Sequence, residues 1–272
     1  MAVPIDIDAE VLSNTRLSPD YNVLVLAAPQ IAATSQPGQF VMIRTTTGTD
    51  PLLRRPFSVF EILRHADGTP HALSLLVKRV GPGSTRLYDA SAGERVGCLG
   101  PLGTGFTIAP PPAEAWMVAG GVGLAPFATL TESLRAEGTP AALYYGGRTD
   151  RDLFYLEWFS CRGVRLELAT EDGSRGECGR VTVPLERDLA SASPTRSITL
   201  YACGPEPMLK AVARLAAAHA RPVQVSTEQI MGCGLGGCYS CVVRVRDGSE
   251  HGHFVRSCLS GPVFSGDAII WE

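Results

Sequence analysis

The chain has 272 residues, 45% of them hydrophobic and 19% charged, which is enough for two domains and a small appendage. The formal net charge is −3 and no block of Lys and Arg alternates with aromatic residues, so we expect no nucleic acid and no membrane surface as a partner. The N-terminal residues lack a basic segment followed by an apolar one, and no apolar run approaches transmembrane length, so the expected location is cytoplasmic.

The first hundred residues contain short runs in which apolar and polar residues alternate, separated by turns that carry Pro or Gly. Such alternation is typical of antiparallel strands with one buried face. The runs cover residues 21–26, 40–44, 57–62 and 73–78. We therefore expect an antiparallel β-barrel or sandwich in this part of the chain.

Two segments of this region carry groups that could hold a cofactor. The first is a basic pair followed by a hydroxyl-bearing stretch: Arg54, Arg55, Pro56, Phe57 and Ser58. The second is a strand end followed by a glycine turn: Leu76, Val77, Lys78, Gly83, Ser84 and Thr85. A guanidinium can fork onto a phosphate. Taken alone, the basic pair would more often be a solvated pair on a strand edge, so the interpretation depends on the rest of the chain.

The pattern changes after the prolines at 110–112. Apolar runs at residues 116–119, 141–145, 164–169 and 198–202 alternate with segments of helical composition at 125–137 and 206–219. Strands that alternate with helices predict a parallel sheet. With a second boundary at Arg221 and Pro222, the predicted domains are 1–111, 112–222 and 223–272.

Two glycine-bearing turns follow strands of this second region. One contains Gly120, Gly121 and Gly123, and the other contains Cys203, Gly204 and Pro205. The carboxyl ends of parallel strands bind ligands, and a glycine turn before a helix lets the backbone approach a pyrophosphate. A tight structural turn could have the same composition, and Cys203 could be a small buried apolar residue. The pair of turns favours a nicotinamide dinucleotide site.

The last forty residues contain a cluster of cysteines, Cys233, Cys238, Cys241 and Cys258, with glycines between the first two. The spacing C-x4-C-x2-C, with a fourth cysteine sixteen residues later, is the plant-type [2Fe–2S] pattern. The alternatives are a structural zinc site, which usually takes two short Cys-x2-Cys pairs, and a set of buried free thiols. The other four cysteines are scattered singly, which argues against a disulfide scaffold and for a reducing compartment.

A flavin is required if both sites are present. A nicotinamide releases two electrons together as a hydride, whereas a [2Fe–2S] cluster accepts one at a time, and a flavin can mediate between them. The Arg55 and Gly83 segments then become its predicted contacts. Because they supply phosphate contacts for a pyrophosphate, we expect FAD rather than FMN.

With these motifs the chain resembles the ferredoxin–NADP reductase superfamily and, within it, the electron-transfer subunits of NAD-dependent bacterial dihydroorotate dehydrogenases. The stretch from Arg55 to Ser58 and the turn at residues 83–85 look like the flavin motifs of that family, and the turns at 120–123 and 203–205 look like its nicotinamide site. Residues 170–174, 179–182 and 258–264 are similar to its more particular stretches.

The resemblance implies an oxidoreductase subunit with an FAD-binding antiparallel β-barrel, a Rossmann-like NAD(P)-binding domain and a small C-terminal [2Fe–2S] domain. It also implies a partner subunit that contains FMN and oxidises dihydroorotate to orotate, in a heterotetramer of two copies of each chain. The choice between NADH and NADPH stays open, because Arg175 could face a 2′-phosphate.

Two other functions remain open from the sequence. The same motifs occur in electron-transfer subunits of ferredoxin-dependent transhydrogenases, sulfide dehydrogenases and some hydrogenases. The four clustered cysteines alone would also suit a zinc-binding interaction protein. Flavin and iron–sulfur absorption bands would separate the redox functions from the zinc protein.

Overall fold

The structure is a computed structural model, and it describes residues 3–46, 48, 50–249 and 251–271. The chain forms two compact units that are not continuous in sequence. The first comprises Met1–Gly105, Gln229–Val242 and Arg256–Pro262, and the second Phe106–Glu228, Val243–Val255 and Val263–Glu272. Whether the chain has the three domains predicted from its prolines stays a prediction.

The first unit is built on a seven-stranded antiparallel sheet with the order β4-β3-β7-β1-β2-β6-β5. Its strands are β1 (Ile5–Arg16), β2 (Tyr21–Ala27), β3 (Phe40–Arg44), β4 (Arg55–Ser58), β5 (Glu61–Arg64), β6 (Pro70–Lys78) and β7 (Arg95–Leu102). The edge strands β4 and β5 are joined by Val59 and Phe60, whose N–H groups donate to Gln39 and Ser74 carbonyls at 3.0 and 2.9 Å. The sheet therefore curls so that one continuous stretch of chain connects its two edges.

Two helices belong to this sheet, α1 (Pro29–Thr34) and α2 (Pro82–Asp89). The side chain of Asn14 holds the end of α2: its Nδ2 lies 3.2, 3.0 and 2.7 Å from the carbonyl oxygens of Leu87, Tyr88 and Ala90. Asn22, which is buried, donates to Asn14 Oδ1 at 2.7 Å. Because the last carbonyls of a helix have no partner within it, this pair of amides satisfies them and fixes α2 on the sheet.

The second unit contains a mixed sheet with the order β11-β10-β9-β8-β12-β13-β16. Its parallel strands are β8 (Glu114–Gly120), β9 (Ala141–Gly147), β10 (Arg165–Thr170), β11 (Glu177–Cys178), β12 (Ile198–Cys203) and β13 (Val223–Ser226). A hairpin of β14 (Val242–Val245) and β15 (His253–Arg256) follows, and β16 (Val263–Ser265) then pairs antiparallel to β13.

Helices cover both faces of this sheet. They are α3 (Phe127–Glu137), α4 (Leu156–Ser160), α5 (Thr182–Ser191) and α6 (Glu206–Ala218); a last short helix, α7 (Ser257–Ser260), belongs to the first unit. Leu185 of α5 and Leu209 of α6 join the apolar cluster around Trp116 and Val118. On the opposite face, Thr131 of α3 lies 3.7 Å from Met117 Sδ. Successive residues of a strand point to opposite faces, so β8 is buried on both.

The predicted antiparallel and parallel sheets are confirmed, with differences in detail. The predicted strand at 57–62 is two strands, because the chain changes partner from β3 to β6 at Val59 and Phe60. The predicted glycine turn at 83–85 forms the first turn of α2. Strands β1 and β7 were not predicted, although β1 alternates Ile5, Ile7 and Ala9 with acidic residues. Among the described residues, no helix is long and apolar enough to cross a membrane.

Replacing Asn14 by Ala should lower the free energy of unfolding by about 1–3 kcal/mol, because carbonyls at the end of α2 lose their donor. Urea unfolding followed by circular dichroism measures the change. Ser13→Ala, at the neighbouring exposed position of the same strand, is the control and should be close to neutral. Equal stabilities for the two variants would contradict the role of Asn14.

Candidate functional site

The four clustered cysteines lie in the first unit, on a loop that follows residue 229 and at the start of α7. Cys241 and Cys258 are buried, Cys233 is half-buried and Cys238 is exposed. The N–H of Ser257 donates to the Cys241 carbonyl at 2.8 Å. This bond joins the two segments, so Cys258 comes beside Cys241 although the β14–β15 hairpin separates them in sequence.

The cysteines lie in two neighbouring pairs. Hydrogen bonds from Ser240, whose Oγ lies 3.1 Å from the Cys238 sulfur, and then from Cys233 lower the pKa of Cys238 to about 6. Burial, and then the neighbouring Cys241 thiol, raise the pKa of Cys258 to about 12. The N–H of Leu235 donates to Cys233 Sγ at 3.4 Å. Iron ligation requires all four thiolates, and sulfurs that receive amide N–H bonds suit it.

Within the part of the chain that the structure describes, no three His, Cys, Asp or Glu side chains converge so as to hold a single metal ion. The two cysteine pairs instead match the donor set of a [2Fe–2S] cluster, in which four thiolates are shared between two irons.

The loop needs a glycine at residue 234. Its φ is +71°, and a Cβ there would lie 2.6 Å from Met42 Cγ and 3.1 Å from Leu102 Cδ1. Backbone at this angle is open mainly to glycine, and the close approach excludes any side chain. One of the glycines between the first two cysteines thus lies directly against Met42 of β3 and Leu102 of β7.

The two predicted dinucleotide turns meet at neighbouring strand ends in the second unit. Ala119 of β8 pairs with Cys203 of β12, and the chain continues from β8 toward one edge of the sheet before β12 starts on the other side. This is a topological switch point, where open parallel sheets bind ligands. Gly120 ends β8, Gly121 begins a short 3₁₀ helix, and α3 and α6 begin just beyond the turns.

Close backbone packing defines this switch point. A Cβ at Gly123 would lie 2.2 Å from the Cys203 carbonyl oxygen and 2.7 Å from Gly204 N. Pro205 directly precedes α6. Burial raises the pKa of the Cys203 thiol well above its usual range, so the thiol is neutral. The structure therefore brings the predicted turns together, and the Met208 side chain packs against Gly120 and Gly204.

The predicted flavin segments also meet, in the first unit. Arg55, Pro56, Phe57 and Ser58 form β4, antiparallel to β3. The Arg55 guanidinium donates to the Leu53 and Arg54 carbonyls at 2.8 and 3.2 Å, and a Cβ at Gly83 would lie 3.4 Å from Arg55 Cγ. The start of α2 therefore lies against Arg55.

The other predicted flavin residues differ in their burial and in their contacts. Leu76 and Val77 are buried, and Lys78 Nζ lies 5.2 Å from the centre of the Tyr21 ring. The Ser84 hydroxyl accepts the N–H groups of Val80 and Gly81 at 2.8 and 3.1 Å, so it holds the turn before α2. Thr85 is half-buried in the first turn of this helix.

Thr45 is a candidate binding residue that the sequence analysis missed. Its side chain is buried, with 7% of the residue exposed, and its Oγ1 has no hydrogen-bond partner among the described residues. The same oxygen lies 3.7 Å from where a Gly83 Cβ would be. A buried hydroxyl without a partner is costly, so this atom suits a polar ligand beside Arg55 and α2. The polar run that follows the apolar strand β3 was the available signal.

Two family models match the chain. The iron-sulfur cluster binding domain of dihydroorotate dehydrogenase B matches residues 228–270, and the oxidoreductase NAD-binding domain matches residues 117–214. Among solved structures, the chain is similar to an NADH-dependent reduced ferredoxin-NADP oxidoreductase at 26% identity and a TM-score of 0.83. That match covers 97% of this chain and 90% of the other. The fold is therefore that of the ferredoxin reductases.

Curated relatives match nearly from end to end. The "Dihydroorotate dehydrogenase B (NAD(+)), electron transfer subunit" of Desulforamulus reducens is 36% identical, over 97% of this chain and 98% of the relative. The protein of the same name from Geobacillus kaustophilus is 38% identical, over 91% of each chain. Identity at this level along the whole chain shows that the protein belongs to the family of dihydroorotate dehydrogenase B electron transfer subunits.

Proposed function

We propose that this chain takes electrons from NADH, passes them through FAD to a [2Fe–2S] cluster, and delivers them to the FMN of a partner subunit that converts dihydroorotate to orotate. The observation that carries the proposal is the shared location of two sites. The cysteine loop packs on β3, the strand that pairs with the Arg55–Ser58 strand. The relatives' name supplies the partner reaction and the preference for NAD(H) over NADP(H).

The chain is an oxidoreductase subunit that uses FAD, a [2Fe–2S] cluster and NAD(H). When bound, the flavin accepts a hydride and releases its two electrons singly to the cluster. We assign the cluster ligands to Cys233, Cys238, Cys241 and Cys258. Each gives one thiolate, and the protons of the buried Cys241 and Cys258 thiols must leave when iron binds.

For the flavin, we assign phosphate contacts to Arg55 and to the N–H groups at the start of α2, and a hydroxyl contact to Thr45. The guanidinium already lies beside Gly83, and a helix start, whose first N–H groups have no partner within the helix, favours an anion. Ser58 shares the outer face of the sheet with the residues that pack on the cysteine loop, which suits a contact with the flavin ring.

For the nicotinamide, we assign the switch point at Gly120–Gly123 and Cys203–Pro205. Hydride transfer depends on the orientation of two rings more than on an acid or a base. The two turns pack closely on each other through their backbone, the apolar Met208 side chain lies against Gly120 and Gly204, and the neutral Cys203 thiol adds no charge.

The partner is proposed to dock at the cysteine loop. Three large apolar side chains beside the ligands face solvent, Ile230 (84% exposed), Tyr239 (63%) and Leu235 (54%). Exposed apolar groups placed together commonly mark a protein interface, and electrons leaving the cluster need a short path to an acceptor. A heterotetramer of two copies of each chain would place one such interface in each half. The four cysteines outside the cluster loop form no disulfide in the structure, which suits a reducing compartment, and we place the protein in the cytoplasm.

A subunit of a ferredoxin-dependent transhydrogenase is the second candidate, favoured by the structural match to the ferredoxin-NADP oxidoreductase. The chain is 36–38% identical to the dihydroorotate dehydrogenase relatives and 26% identical to the ferredoxin-NADP oxidoreductase. The higher identity supports the dihydroorotate dehydrogenase function.

Replacing Cys241 by Ser should remove iron and sulfide while flavin stays bound, because the cluster would lose one of its four thiolates. Iron, sulfide and flavin contents of the protein purified without oxygen measure this. The matched control is Cys161→Ser, an exposed thiol of the second unit, which should keep all three. A full complement of iron and sulfide in the Cys241 variant would exclude Cys241 as a ligand.

Thr45→Val should weaken flavin binding by about 0.5–1.5 kcal/mol, since it removes one hydrogen bond at nearly constant volume. Arg55→Ala should cost about 1.5–3 kcal/mol, because a charged donor is lost. Fluorescence titration of flavin into the flavin-free chain measures both, and chromatography should identify the natural flavin as FAD. Thr15→Val and Arg64→Ala, both exposed, are the controls. Unchanged affinity in Thr45→Val would remove Thr45 from the site.

The chain alone should reduce artificial dyes with NADH but should not oxidise dihydroorotate, and adding the FMN-containing subunit should create NAD-coupled orotate formation. Cys241→Ser should abolish the coupling and spare dye reduction, because only the path through the cluster is cut. Steady-state assays with each component omitted in turn measure this. Orotate formation by this chain without a partner would refute the division of roles.

A further inference from the structure

Strand β3 separates two apolar clusters. Val41 and Ile43 pack inside the curled sheet with the residues of β1, β2 and β6. Phe40 and Met42 point the other way, because successive residues of a strand alternate between faces, and they pack in a second cluster outside it. The second cluster contains Phe40, Met42, Leu99, Leu102, Met231, Cys241 and Cys258. Two of the four proposed iron ligands are therefore buried against the outer face of β3 and β7.

Met42 lies close against the ligand loop. It is fully buried, and a Cβ at Gly234 would lie 2.6 Å from its Cγ and 3.2 Å from its Sδ. Gly234 stands between Cys233 and Leu235, whose N–H donates to the Cys233 sulfur. The methionine side chain thus supports the backbone that carries one ligand and the N–H group that bonds it.

The same methionine stands directly across from the proposed flavin strand. In the β3–β4 pair, Met42 faces Pro56 and Phe40 faces Ser58. Directly opposed residues of an antiparallel pair lie on one face of the sheet. Pro56 and Ser58 therefore share the outer face with the side chains that pack on the ligand loop. Met42 and Phe40 both adjoin the two sites, and Met42 is the one that also lies against Gly234 of the ligand loop.

We propose that Met42 is a positioning residue, which seats the ligand loop against the flavin strand and so sets the path of electrons between the two cofactors. The proposal rests on the function proposed above and adds a residue to it. Methionine suits the role because its unbranched thioether fills an irregular gap between a strand and a loop. Met42 undergoes no bond change and is neither oxidised nor reduced; each electron passes from flavin to cluster.

The test uses the full chain with both cofactors and three substitutions. Met42→Ala and Met42→Val shorten the side chain, and valine also suits a strand, so it serves if the alanine variant fails to fold. Met42→Leu conserves the volume. Val41→Ala is the matched control, because it removes a buried side chain of the same strand from the opposite face.

The readouts are iron content, the electron paramagnetic resonance spectrum of the reduced cluster and the rate of cluster reduction by NADH in stopped flow. We expect the shortened variants to keep flavin and rapid flavin reduction, to show a changed resonance spectrum, and to lose about ten- to a hundredfold in iron retention or in cluster reduction. Met42→Leu should restore the wild-type spectrum, and Val41→Ala should leave it unchanged.

A wild-type spectrum and wild-type cluster reduction in the shortened variants would overturn the inference, as would an equal spectral change in Val41→Ala, which would indicate general destabilisation. Either result leaves the proposed function standing if the wild-type chain contains flavin and iron. Wild-type protein without flavin or iron, when purified in the absence of oxygen, would instead refute the proposed function itself.

Discussion

The contact between the cysteine loop and the outer face of β3 and β7 is the constraint on which the first unit depends. Burying a Phe, Met or Leu side chain contributes about 1.5–3 kcal/mol, and here such burial also brings two ligand cysteines under cover. The N–H of Thr104 adds a backbone tether to the Gly261 carbonyl. Residues 229–242 and 256–262 are therefore part of the same compact unit as the sheet that precedes them, whereas residues 243–255 and 263–272 belong to the second unit.

The second unit follows a different principle, in which the order of strands makes the site. Because β8 and β12 are neighbours in the sheet but distant in sequence, their ends leave a crevice that neither turn would make alone. Because Gly123 has no side chain, the backbone of Cys203 can pack directly against it beside that crevice. The proposed role of this unit is to orient the nicotinamide ring for hydride transfer, and two closely packed backbone turns suit that role.

The features that could be predicted from the sequence are those whose pattern lies within a short stretch of chain. The cysteine spacing, the glycine turns and the alternation of strands with helices are all visible within short windows, and the fold class followed from them. Thr45 was missed because the polar run after β3, its local signal, does not show that the hydroxyl would be buried beside Arg55 and α2. Met42 was missed for the same reason. Its neighbour Gly234 is far along the chain, and the local sequence does not show on which face of the sheet an apolar strand residue packs.

The apolar outer face of β3 and β7 has a consequence for how the protein is made. Its covering segment, which contains Met231, Cys241 and Cys258, is synthesised long after the strands themselves. During translation the sheet can form before this segment exists. The apolar side chains of the outer face then contact water and can associate with other chains; they are Phe40, Met42, Leu99 and Leu102. Iron cannot be inserted until Cys258 has emerged. The segment that covers this apolar surface therefore also completes the ligand set, so the cluster can be assembled only once the chain that covers the surface has been made.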